Sequence, residues 1–222
     1  REEQTRAVFA MMKAGVEAAG MKFSNVLRTW FHNHDILDWY GEFNQVRDVF
    51  FRENQVFRGI VPASTGVAGR NPKNAALTAG LVAFRPQVEG IEAAPLASPL
   101  QCPALDYGSS FSRAVEIAYP DHRRVFVSGT ASIEPGGKTV HLDDMEGQVR
   151  LTFDVVHAII EARGMGWNHV NRGIAYVKCA KDIPVFERFL RNSAAATAPF
   201  IIAHNDICRG DLLFEIEVDA IA

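Results

Sequence analysis

The chain has no CxxC pair, no basic excess and no long apolar run. Its three cysteines, Cys102, Cys179 and Cys208, do not make a closed disulfide framework, so reduced thiols in a cytoplasmic protein are expected. Lys and Arg number 23 against 26 Asp and Glu, a net charge of −3, which is not the balance of a nucleic-acid-binding surface. No segment approaches the roughly 18 consecutive apolar residues of a membrane span. The opening REEQTRAVF is charged and amphipathic, unlike a signal peptide. His32 and His34 alternate in WFHNHD, as two metal ligands on a strand would, but no third ligand is evident and no metal is expected.

What is present is ordinary in amount: 222 residues, 48% hydrophobic and 22% charged, enough for one large domain or two small ones. It is not ordinary in arrangement. Residues 1–28 align without gaps on residues 145–172, and eleven positions agree, among them Gln4/Gln148, Phe9/Phe153, Gly20/Gly164 and Arg28/Arg172. In each copy an apolar stripe at helical spacing comes first, Thr5, Phe9, Met12 and Val16 in one and Val149, Phe153, Val156 and Ile160 in the other. Gly20 and Gly164 then fall where a left-handed helix end needs no side chain. A strand follows (VLRTWFH; HVNRGIAYVK). A second helix opens near Asp38 or Asp182, both candidate N-caps, with Pro184 in its first turn. Closing strands complete each copy: RGIVPASTGVAG and NAALTAGLVAF, then APFIIAHNDIC and DLLFEIEVDAIA.

The second copy also has strands ahead of its first helix, in FSRAVEIAY and RRVFVSGTASI. The unit is therefore ββ-α-β-α-ββ, and the first copy is expected to be N-terminally truncated. This predicts an α+β fold: a partial unit over 1–86, a second unit over 107–222, and a linker over 87–106, where Pro86, Pro95, Pro99 and Pro103 interrupt regular structure.

The strings VFVSGTASI, DDMEGQVRLTFDVV, GMGWNHVNRGIAYVKCAKDIPVF and FEIEVDAIA resemble the RidA/YjgF/UK114 superfamily. That resemblance implies mixed sheets packed on pairs of helices, with three units forming a barrel-like trimer; a homotrimer or a pseudo-trimeric monomer is the matching expectation. Two fused units with SPLQCPALDYGSSFSRAVE, VPASTGVAGRN and CRGDLLFEIE resemble the chorismatase family. Those enzymes cleave chorismate to pyruvate and either 3-hydroxybenzoate or a dihydroxycyclohexadiene carboxylate, without a cofactor. The superfamily's imine deaminases carry an arginine two residues after a proline. Here Ile201 follows Pro199 and Ser64 follows Pro62, which speaks against that activity.

Cleaving an enol ether requires a proton on carbon, and hence a carboxylic acid kept protonated near neutral pH. The resemblance places that acid at Glu215. Glu217, on the same strand face, either raises the pKa of Glu215 or is simply solvated; the solvated reading is favoured. Two substrate carboxylates call for arginines, and Arg113, Arg209 and Arg172 are candidates. Tyr107, Ser110 and Ser112 are candidates for the ring hydroxyl or a carboxylate. Gly129 and Ala131, small residues on a strand, allow close approach to the backbone. Cys208 matches the residue that marks the 3-hydroxybenzoate branch, where a thiol would orient or shuttle the ring proton. The competing readings are the diene-forming reaction and a non-catalytic module that binds a small carboxylate.

Overall fold

The computed structural model describes residues 1–222. Its elements follow the order α1 (Glu2–Ala18), β1 (Val26–Asn33), α2 (Tyr40–Glu53), β2 (Ala63–Ala68), β3 (Leu77–Ala83), β4 (Glu92–Leu96), β5 (Ala114–Ala118), β6 (Arg123–Ala131), α3 (Met145–Glu161), β7 (Val170–Val177), α4 (Ile183–Arg191), β8 (Phe200–His204) and β9 (Phe214–Ile221). A three-stranded sheet runs β2-β1-β3 and a six-stranded sheet runs β4-β5-β6-β9-β7-β8. No helix is long and apolar enough to cross a membrane.

The repeat is visible in the pairing. β1 is parallel to β2 and antiparallel to β3, and β7 is parallel to β8 and antiparallel to β9. Even the irregularities correspond. The β1–β3 register shifts between Val26 and Arg28, and the β7–β9 register shifts between Val170 and Arg172. Such a bulge adds one residue to a strand and re-aims the next side chain. Arg28 and Arg172 therefore leave their strands in equivalent ways.

Each unit has its own core. Val149, Phe153, Val156 and Ile160 of α3 are buried against Phe186 of α4 and Phe214, Ile216 and Val218 of β9. Phe9 and Val16 of α1 pack with Phe31, Phe43 and Phe51 in the smaller core. Gly20 and Gly164 end the first helices with φ of +72° and +73°, the left-handed geometry expected of them.

Two expectations need correction. Trp39, not Asp38, occupies the N-cap of α2, because a short 3₁₀ turn over Ile36–Asp38 intervenes; Asp182 stands at the N-cap of α4 without capping it by its side chain. The proline-rich stretch is not simply a linker either. Residues 92–96 form β4, antiparallel to β5. Pro95 is tolerated because β4 is the sheet's edge, where a missing N–H interrupts no further ladder. Nearby, buried Gln101 donates from Nε2 to the carbonyls of Ala131 and Ile133.

The two sheets meet through β2 and β6. The Ser64 backbone N–H donates to Ser128 Oγ at 2.8 Å, and that of Ala68 to the Asp206 carbonyl at 2.9 Å. Apolar side chains from both units close this seam: Leu27 and Ala63 with Val115, Ile117 and Phe126 at one end, Val67 with Ala131, Ile133, Ile207 and Leu212 at the other.

Candidate active site

Strand β9 is buried on both faces. Phe214, Ile216 and Val218 face the helices, while Glu215, Glu217 and Asp219 lie on the other face, where Glu217 meets Arg28 and Trp30 of the first unit. All three acidic residues are buried, with Glu217 at 0% exposure. Burying carboxylates is costly unless each is paired or neutral, and the strand uses both solutions.

Glu217 is the paired one, and its expected solvated role is overturned. Arg28 Nη2 donates to its Oε2 at 2.7 Å, Arg172 Nη2 donates to Oε1, and Trp30 Nε1 donates to Oε1 at 2.9 Å. Burial alone would disfavour its ionisation; Arg28, Thr65 and Arg172 overcome that and hold the carboxyl below the usual carboxylate range.

Glu215 makes no ion pair and no side-chain hydrogen bond. Burial, and then the charge of Glu217, push its carboxyl up to about 8, with Arg28 opposing. It stands opposite Ala131 of β6 and Tyr176 of β7. The β6–β9 register shifts between Val127 and Thr130, and Gly129 lies in that bulge. A methyl group on Gly129 would stand on Glu215 Oε1, so the glycine makes the room in which the carboxyl sits.

Glu215 lines a pocket of about 50 Å³ between the units, with Gly129, Ala131, Cys208, Arg209, Arg113, Tyr107, Ser109 and Phe111 from the second unit's side and Tyr40 from α2. A larger depression of about 650 Å³ lies elsewhere, but the charged residues that line it, among them Glu17, Lys22, Glu53 and Arg58, are exposed. A buried acid and the buried Arg113 favour the smaller pocket as the place for chemistry.

The arginines around this pocket have no carboxylate partners. Arg113 is buried and donates from Nε and Nη2 to the Cys102 carbonyl. Arg209 donates to the Gly137 carbonyl at 2.8 Å. Both guanidinium groups lie over the Tyr107 ring, at 5.4 and 5.5 Å from its centre. Burial raises the Tyr107 phenol, against the pull of both arginines. Burial, then Glu215, push the Cys208 thiol up to about 12. It remains a protonated donor at neutral pH rather than a thiolate.

Three expected binding residues lie outside the pocket. Arg172 is spent on Glu217 and Asp219. Ser110 Oγ donates to Asp48 Oδ1 and Ser112 Oγ to the Val61 carbonyl, so both hydroxyls tie the loop before β5 to the first unit. Sequence reasoning missed Tyr40, Ser109, Phe111 and Arg47. Arg47, on α2, is 1% exposed, its side chain bonds only Asn44, and its Nε has no partner. Its charge acts on Tyr40 and Cys208, two residues of the pocket. No local signal in YGEFNQVRDVFF distinguishes it from a surface helix arginine.

No protein-family model matches the chain. Among curated proteins, a 3-hydroxybenzoate synthase of Streptomyces hygroscopicus is 26% identical over 97% of this chain and 68% of its own length. A chorismatase of the same organism is 30% identical over 86% of this chain and 60% of its own length. The chain thus spans roughly two thirds of these relatives. A chorismatase crystal structure superposes with a TM-score of 0.82 and 24% identity, covering 96% of this chain and 70% of that one. The chain is therefore related by sequence to the chorismatases and to 3-hydroxybenzoate synthase, and it has the fold of a solved chorismatase.

Proposed function

We propose that the protein cleaves the enolpyruvyl ether of chorismate to pyruvate and 3-hydroxybenzoate. The observation that carries this reading is a neutral carboxylic acid in a pocket edged by arginines that lack carboxylate partners. Chorismate is a dianion with an acid-labile enol ether, and it matches both halves of that description. Arg113 and Arg209, joined by Arg47, would take the two substrate carboxylates, since a guanidinium fork binds a carboxylate through paired hydrogen bonds. Glu215 would deliver its proton to the terminal methylene carbon, giving an oxocarbenium ion. The ether bond to the ring then breaks and pyruvate leaves.

The two products together have the composition of the substrate. The proton given by Glu215 is therefore recovered when the neighbouring ring hydroxyl participates and the ring loses a proton on becoming aromatic. Cys208, as a protonated donor beside Glu215, would orient that hydroxyl or relay the proton. Gly129 and Ala131 would let the ring approach the floor of the pocket. The chemistry asks for no metal or redox cofactor.

The test is direct. Purified protein is mixed with chorismate, pyruvate is followed through lactate dehydrogenase, and the organic product is separated on a column. Pyruvate with 3-hydroxybenzoate is expected, and Glu215→Gln should fold normally yet lose at least about 10³-fold in rate, the scale of a lost general acid. Pyruvate with the diene instead would assign the hydrolytic branch; binding without pyruvate would leave a carboxylate-binding module.

A further inference from the structure

Glu215 shares a pocket with Arg113 and Arg209 and feels the charge of Arg28, yet it has no ion pair. That is unusual for a carboxyl group beside buried guanidinium groups, which attract any carboxylate they can reach. The reason lies two residues along β9. Arg28 and Arg172 are equivalent residues of the two repeats, each placed after an equivalent bulge, and both end on Glu217. Arg28 is held there on further sides: Nη2 also donates to Thr65 Oγ1 at 2.6 Å, Nη1 donates to the Thr29 carbonyl, and the guanidinium lies 4.6 Å from the Trp30 ring centre. Thr65 Oγ1 in turn accepts the backbone N–H of Gly129, the glycine under Glu215. The clamp and the acid thus share a wall.

We propose that Glu217 is a positioning residue for the acid: by engaging Arg28 and Arg172 it keeps the Arg28 guanidinium off Glu215 and sets a permanent negative charge beside it, so that Glu215 stays neutral. This rests on the functional reading above, in which a neutral Glu215 is the proton donor. The other groups around Glu215 do not supply a competing anion. β7 presents Tyr176 and α2 presents Tyr40 and Arg47. The loops present Cys208, Arg209, Tyr107 and Arg113, while β6 and β2 present the uncharged Gly129, Ala131 and Thr65. Asp219 is one more pair of residues away and faces Arg172 and Arg124. The charge of Arg28 already acts on Glu215 in the direction of ionisation, behind burial and Glu217 in size. Freed from Glu217, that influence would grow.

The test is the pH dependence of kcat/KM for chorismate cleavage, whose alkaline limb reports the acid of the free enzyme. Glu217→Gln keeps the shape and loses the charge. Its alkaline limb should move down by at least one pH unit relative to the unsubstituted protein. Arg172→Gln removes a cation instead, and should move the limb up. A Glu217→Gln limb that stays in place with a lower rate at every pH would show a merely structural role and overturn the proposal. If Glu217→Gln fails to fold, the partly exposed Arg172 carries the decision: a limb that is unmoved or moves down overturns it. A second readout needs no turnover. The carboxyl carbon of Glu215, labelled with carbon-13 and assigned by its loss in Glu215→Gln, should titrate at lower pH in Glu217→Gln than in the parent. Equal titration would overturn the proposal, whereas the expected shift in a protein that leaves chorismate intact would defeat the functional reading and leave the proposal standing.

Discussion

Glu215 and Glu217 have the same side chain, the same strand and the same face, and they end in opposite states of charge. The difference has a measurable cost in stability. The carboxyl of Glu215 lies at about 8 in the fold and near the ordinary value when unfolded. Between those values the folded state binds the extra proton, so the group's contribution to stability falls as pH rises from about 5 to 8, by at most about 1.4 kcal/mol per pH unit. Glu215→Gln, unable to ionise, should melt at a higher temperature than the parent at pH 8 and at a similar temperature at pH 5. Equal melting curves at both pH values would contradict the burial of an ionisable acid there. Cys208 carries a second prediction. Cys208→Ala keeps the volume small and removes the donor, so the product should shift from 3-hydroxybenzoate toward the diene; an unchanged ratio would make the thiol a packing residue. At this scale the sequence pointed to Glu215 but not to the fate of Glu217, because the partner that buries it, Arg28, lies 189 residues away on the other unit. Alternation along a strand shows which residues share a face; it does not show what covers that face.

Strand β9 and its neighbours show how an element is specialised without changing its plan. The first unit's copy of this arrangement places Gly80 opposite Trp30, where the second places Glu217 opposite Ile174. It places Thr78 opposite His32, where the second places Glu215 opposite Tyr176. The ladder is the same, and the carboxylates occur in one copy only. The two helices of each copy and the glycine helix ends were legible because apolar spacing and turn chemistry are local properties, whereas the parallel pairing of β1 with β2 and of β7 with β8 depends on the partner strand. β4 was not legible, because proline is a breaker in most settings and only its place at a sheet edge makes it acceptable. The bulge in β6 was equally hidden, although SGTA hinted at close approach. Gly129→Ala tests that bulge. The added methyl would displace the Glu215 carboxyl and press on Thr65, with an expected loss of roughly 10²-fold in kcat from an acid moved by about 1 Å. Circular dichroism should remain that of the parent; an unimpaired kcat would mean that the carboxyl does not act from its present position.

Across the whole molecule, the site belongs to neither unit. β9 and the loops before β5 and β9 supply Glu215, Cys208, Arg113 and Arg209, while α2 of the first unit supplies Tyr40, on which the charge of the buried Arg47 acts. A buried arginine without an anionic partner weakens a fold, so its presence calls for a ligand. Arg47→Met should therefore do two opposite things. It should raise the melting temperature, and it should raise KM for chorismate by roughly 30-fold or more, the scale of a lost buried charge contact of about 2 kcal/mol or above. A raised melting temperature with unchanged KM would place Arg47 outside substrate binding. The repeat made the two-unit plan legible, but not the seam. Ser64 to Ser128 and Ala68 to Asp206 are contacts between segments whose own patterns predict only separate strands.

The clamp of Arg28, Trp30 and Glu217 also sets an order in time. Arg28 is made early in synthesis and Glu217 late, and a contact spanning 189 residues carries the loop-closure cost of a non-local pairing. Until β9 inserts between β6 and β7, Arg28 has no anion, the pocket has no acid, and the second sheet is split in two. Pairing of that one strand joins the sheet, gives Arg28 its anion and brings Glu215 to the pocket. On the proposed function a chain short of β9 should therefore be inactive, and refolding of the purified protein should regain tertiary structure and activity in the same kinetic phase.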